Sequence, residues 1–164
     1  MAETDTALMA HLMRRAGFGA QYDELERRAA KGYEATVEDL LNPTDETNGM
    51  DLDLAERYFI EWNHFIRCVP EYIAFRMVNS ANQLEEKMVL FWHGIFATAY
   101  SKVPQGKVLT DQLGMFRRHG MGSFRTLLIE LSKDPAMIVW LDNQDNHKGA
   151  INENFGRELM ELFS

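Results

Sequence analysis

The stretch from Asp142 to Glu161, DNQDNHKGAINENFGRELME, is dense in carboxylates and side-chain amides and follows an apolar run, Ala136 to Leu141. Such a loop is costly beside apolar segments unless its groups are hydrogen-bonded or bind something. One chemistry that fits is a hard cation. Counted from Asp142, oxygen-bearing residues stand at positions 1, 3, 5 and 12 (Asp142, Gln144, Asn146, Glu153) ahead of a helix. That is the spacing of a calcium loop, although His147 replaces the glycine usual at position 6 and the charge is low. Calcium is thus a weak alternative to an expectation of no cofactor. Helix capping and loop stapling explain much of the same composition. Asn152 is placed to cap a final helix, its oxygen accepting an N–H two or three residues on, and Glu153 suits the positive end. Arg157 stands four residues from both Glu153 and Glu161. Asp142, Asn146, Asn154 and Glu158 are then the groups least explained by helix ends, and so the candidates for a ligand or partner contact.

A second place for chemistry is QLEEKMVLFWHGIFATA, Gln83 to Ala99. Leu84, Met88, Phe91, Trp92, Ile95 and Ala99 fall within one arc of ~100°, the stripe expected to face a core. Glu86 and His93 share the other face with Val89, Leu90 and Ala97. A carboxylate and an imidazole are the types used in general acid–base work. Seven residues of helix put ~10 Å between them, so each needs a partner from elsewhere. His93 is expected to be buried and hydrogen-bonded, and Glu86 to pair with Arg157 or Arg125. The catalytic candidates are therefore His93, Glu86, Arg157 and Glu158, set against a structural reading of the same histidine and glutamate.

Many other chemistries lack their signatures. There is no His-x-x-x-His pair, no nucleophile elbow, no phosphate-binding glycine loop and no dinucleotide fingerprint. One cysteine, Cys68, excludes an internal disulfide and a cysteine zinc cluster, and reads as a small buried hydrophobe. With 25 acidic against 17 basic residues, net −8, the chain lacks the basic footprint of a nucleic-acid or anionic-membrane binder. Ten methionines read as core filler. No apolar run reaches the ~18 residues of a membrane span. The first residues do not form a signal peptide, so the cytoplasm is the default location.

The elements that must position these residues read as helices almost throughout. Leu8, Leu12 and Arg15 mark a first helix, with Gly17 placed as its left-handed cap. A second starts at Tyr22, turns Leu25 and Ala29 inward and stops at Gly32. A third carries Val37, Leu40 and Leu41 and ends before Pro43. Residues 43 to 50 form a loop. A long amphipathic helix follows from Leu52 to Val69, holding Trp62, and Pro70 kinks it or begins another. After Gln83 to Ala99, further helices are expected over Val108 to His119 and Ser123 to Lys133. The prediction is an all-α fold, a compact multi-helix bundle without significant sheet, in a single domain over 1–164. Phe155, Leu159, Leu162 and Phe163 form an apolar stripe that runs out at Ser164. It predicts that the chain continues as a larger helical domain, with Phe155, Leu159 and Phe163 less buried than Trp62 or Phe91.

Three blocks resemble a large bacterial family known only as a domain of unknown function, number eighteen hundred. They are HLMRRAGFGA (His11 to Ala20), EKMVLFWHGIFAT (Glu86 to Thr98), and GSFRTLLIELSKDPAM through NENFGRELMELF (Gly122 to Phe163). The resemblance implies a longer chain and no particular reaction, and its members are often exported. Ile151 stands where that pattern leads one to expect proline, and Gly156 where alanine is usual, which implies a looser entry to the last helix. Two functions remain. One is a helical binding or scaffold module built around the polar cluster at 142–161, partnered by the rest of its own chain or by another protein, and neither by nucleic acid nor by membrane. The other is the N-terminal half of an enzyme, with hydrolysis as one candidate reaction, whose site is completed elsewhere.

Overall fold

A computed structural model describes residues 2–42 and 68–163. The described residues form nine α-helices: α1 (Ala2–Ala16), α2 (Tyr22–Lys31), α3 (Tyr33–Leu41), α4 (Cys68–Asn79), α5 (Gln83–Ile95), α6 (Gly106–His119), α7 (Phe124–Leu131), α8 (Pro135–Trp140) and α9 (Asn154–Glu161). One 3₁₀ turn, Asn143–Asp145, and one isolated bridge, His147 to Ala150, complete the described secondary structure. The fold is all-α, and no described helix is long and apolar enough to cross a membrane. The loop expected at 43–50, most of the helix from Leu52 with Trp62, and the Cys68 side chain lie outside what is described. Pro70 falls in the first turn of α4, where its missing N–H costs nothing.

The chain divides into two compact units, Met1–Leu52 with Ile73–Lys87, and Asp53–Tyr72 with Met88–Ser164. In the first unit Met9, Leu12 and Met13 of α1 and Leu40 of α3 are buried together, with Leu25, Ala29, Val37 and Leu84 packed around them. The inward face of α1 is thus turned by one residue from the expected one, since Leu8 and Arg15 are exposed. Methionine fills this core where leucine and an arginine stem were expected, as an unbranched side chain readily can. Helix α2 carries acids in its first turn and bases in its last, matching its dipole. It stops at Gly32, whose φ of 104° suits glycine. The left-handed residue after α1 is Gly19, not Gly17, and its N–H reaches Met13 O at 3.2 Å.

In the second unit Val103, Leu109 and Ala136 form a buried cluster with Val69, Tyr100, Val108, Val139 and Trp140 around it. Asp134 caps α8 by accepting the Met137 N–H at 2.8 Å, with Pro135 in the first turn. Trp92 stacks on Phe96 and Phe124 and donates its indole N–H to Gly120 O at 2.7 Å. Any side chain at Gly120 would stand 2.4 Å from Phe116 O and 2.7 Å from the indole, so glycine there is a packing requirement.

Helix α5 departs from the expected inside and outside, although Leu84, Met88, Trp92 and Ile95 of the expected stripe stay half-buried. Glu86, Val89 and Phe96 are each at most 2% exposed, whereas Phe91 of the expected core stripe is 52% exposed. An apolar count placed glutamate outside, and its buried partner reverses that assignment. At the end of the chain Phe163 is 8% exposed, with its ring edge-on to Phe96 at 5.1 Å. Phe155 and Leu159 are half-buried. The expected order of burial is therefore reversed between Phe163 and Phe91, because α5 buries its other face.

Candidate functional site

The polar loop closes on itself. Asp142 takes a left-handed conformation, φ 57°, which aspartate tolerates better than most residues. That turn reverses the chain after α8 and presents the carbonyls of Leu141 and Asp142 to Asn152. The Asn152 amide donates to both, at 3.0 and 2.9 Å, and its oxygen accepts the Asn154 N–H at 2.9 Å. Asn152 therefore holds the start of α9 as its sequence position predicts, though the regular helix begins at Asn154 and not at Asn152. Asn146 accepts the Asn152 N–H at 2.7 Å and donates to Asn143 Oδ1 and to Asn152 O. Asn154 donates to Leu141 O at 3.5 Å and accepts from Arg157 at 2.9 Å. Arg157 is thereby turned from the Glu153 and Glu161 pairings that its spacing suggested. The Asp142 carboxylate meets Lys102 at 2.7 Å, and the same ammonium also reaches Trp140 O at 2.8 Å.

Of the four contact candidates, three are engaged in this way. Asp142, Asn146 and Asn154 hold backbone or a neighbouring side chain. Glu158 is half-buried, and its carboxylate is tied to no described residue. Of the calcium-spaced set, Asp142 is committed to Lys102 and Asn146 to Asn152, while Gln144 and Glu153 are exposed. Among the described residues no group of three His, Cys, Asp or Glu side chains is placed to hold a metal ion.

The acid–base candidates separate as well. Glu86 is 2% exposed and accepts from Arg76 Nε at 2.7 Å, with Arg76 itself 5% exposed. The cationic partner shown is Arg76 of α4, where Arg157 or Arg125 was expected. Tyr72 and Arg76 are both buried and four residues apart, so the inward stripe of α4 includes the arginine. His93 is half-buried, and its Nδ1 lacks the hydrogen bond expected of it. Burial lowers its pKa below the usual imidazole value, which favours the neutral ring.

Two polar arrangements escaped sequence reasoning. In the first unit Gln83 donates to Met77 O at 3.2 Å and Ser80 O at 2.7 Å, and accepts the Phe18 N–H at 3.3 Å. Its neighbour Lys87 binds Gly17 O at 2.9 Å and lies over the Phe18 ring. A side chain at Gly17 would come within 2.9 Å of Gln83 Cβ, which is what the first glycine of Gly-Phe-Gly is for. In the second unit buried Thr98 donates to Gln112 at 2.6 Å, and Gln112 donates to Asp134 at 2.8 Å. Burial raises the Asp134 pKa, while bonds from the Met137 N–H and Gln112 oppose the rise. Every member of that chain has a partner, the condition under which a buried polar network rigidifies a core. The Asp-Pro pair announced the cap but not the two residues behind it.

A family model described as "Protein of unknown function (DUF1800)" matches residues 11–164. No curated protein and no solved structure matches the chain.

Proposed function

The chain belongs to the DUF1800 family, whose biochemical function is uncharacterised, and for this member we infer a helical binding or scaffold module. The observation that carries the reading is the use made of the polar loop. Asn146, Asn152 and Asn154 hold carbonyls and N–H groups of their own loop, so residues typical of active sites here fix a surface. Glu86, the candidate acid, is likewise committed to Arg76. Glu158 is then the group left for a partner, which is either another protein or the family's further chain. Work in the cytoplasm goes with this reading, and cell fractionation checks it.

Alanine substitution tests the assignment by separating fold from contact. Asn154→Ala should lower stability by about 1 kcal/mol, as loss of a partly buried hydrogen-bonding group does. Glu158→Ala should leave the melting temperature unchanged. If Asn154→Ala is as stable as the parent, the loop is not a staple and the module reading loses its support. A calcium titration addresses the ion-loop alternative. Saturable stabilisation lost in Asp142→Ala would support a calcium loop, and no thermal shift at millimolar calcium would remove it.

One observation favours the enzyme reading. His93 is the only candidate whose ring carries an unpartnered buried nitrogen among the described residues, and a neutral imidazole in that state is a competent general base. A hydrolase panel run on parent and His93→Gln decides it. Turnover present in the parent and lost in the variant would make the enzyme reading the better one.

A further inference from the structure

The first unit contains a cleft of about 620 Å³ whose walls are the segment after α1, the first turns of α2, and the link between α4 and α5. That volume lies within the range of small-molecule sites. The two connecting segments that form it are fixed by Gln83, which is bonded at once to Phe18, Met77 and Ser80. The cleft is thus largely pre-formed, and a ligand need not bear the cost of ordering it.

Its lining has two characters. Phe18, Met77 and Val78 supply an apolar wall, with Val78 80% exposed at the rim. Arg27, Arg28 and Glu24 supply the charge. Glu24 and Arg28 neutralise one another at 2.8 Å, whereas Arg27 also lines the cleft and meets no carboxylate among the described residues. In a chain of net charge −8 this leaves a locally cationic cleft beside an exposed apolar surface. Guanidinium prefers carboxylate-type partners that it can grip with two N–H groups.

We propose that this cleft binds a medium-sized organic anion, a carboxylate with an apolar body, in which the carboxylate meets Arg27 and the body lies along Phe18, Met77 and Val78. The site owes nothing to the polar loop at 142–154, so it stands or falls separately from the module reading.

The test is a titration of the whole chain with octanoate, followed by calorimetry and by backbone amide shifts. Octan-1-ol and inorganic phosphate serve as the controls. Saturable binding with shifts at Phe18, Arg27 and Val78 is expected. Arg27→Gln should weaken it at least tenfold, consistent with loss of a charge-assisted hydrogen bond. Val78→Asp should do the same by setting a like charge on the rim. Both positions are exposed, and equal melting temperatures confirm that the variants fold. Octanol binding as tightly as octanoate, phosphate binding equally well, or Arg27→Gln binding octanoate like the parent would each overturn the proposal. So would failure to saturate by about 10 mM octanoate.

Discussion

The joint at Gln83 and the joint at Asn152 apply the same device to different ends. Each sets one side-chain amide across two chain segments and makes three bonds to backbone groups. At Asn152 the amide ties the chain after α8 directly to the start of α9. At Gln83 they are held beside a cleft lined by Arg27, which meets no carboxylate among the described residues. Polar density therefore marks where a chain must satisfy its own backbone. Capacity to bind depends on the space left over, as beside Gln83.

Substitutions at the two joints sharpen or break this contrast. The largest effect is expected beside the first joint. Glu86→Ala strips the carboxylate from buried Arg76 and should cost about 3 kcal/mol or more in chemical denaturation. A loss under about 0.5 kcal/mol would mean that the pair is solvated and that the unit is not rigid. Gln83→Ala should cost about 2 kcal/mol, since it leaves two carbonyls and an N–H in half-buried surroundings. Asn152→Ala should cost about 1 kcal/mol, because water reaches that loop more easily. The reverse order for these two would make the loop the stiffer joint and undo the comparison. Lys102→Ala should shift stability by less than about 0.5 kcal/mol, because both partners in the Lys102–Asp142 pair are about 40% exposed.

A pH profile adds the smallest effect. With the folded pKa of His93 below its unfolded value, the folded state holds fewer protons in the interval between them. Stability should be fully present above about pH 6.5 and fall as pH drops toward the folded pKa. His93→Gln should be flat across that interval in melting experiments. An unchanged profile in the variant would place the titration on another group.

The sequence made some of this legible and hid the rest for identifiable reasons. Helical periodicity located α1 to α3, α5 to α7 and α9, while α8 was read only as an apolar run, and glycine chemistry found the stop at Gly32. Asn152 was readable as a cap because that role is local and its spacing is short. The inward face of α5 was not, because Glu86 turns inward for an arginine ten residues away on another helix, and no window of apolar counting contains that pairing. Gln83 was invisible for the same reason, since its significance lies in Phe18 at a separation of 65 residues. His93 had the opposite problem. Its type advertised chemistry, but whether its ring would find a hydrogen bond depended on neighbours the sequence does not name.

That range of separations also orders events in time. The bonds of Asn152 close loops of 2 to 11 residues, so they can form as soon as the local chain turns. The bonds from Gln83 to Phe18 and from Lys87 to Gly17 span 65 and 70 residues, and the entropy of closing so long a loop comes before any reward from the contacts. The loop at 142–154 is then an early piece of native structure, and the cleft a late one. On the way back the order reverses, and amide exchange should find Phe18 opening through excursions that leave the Asn154 amide protected.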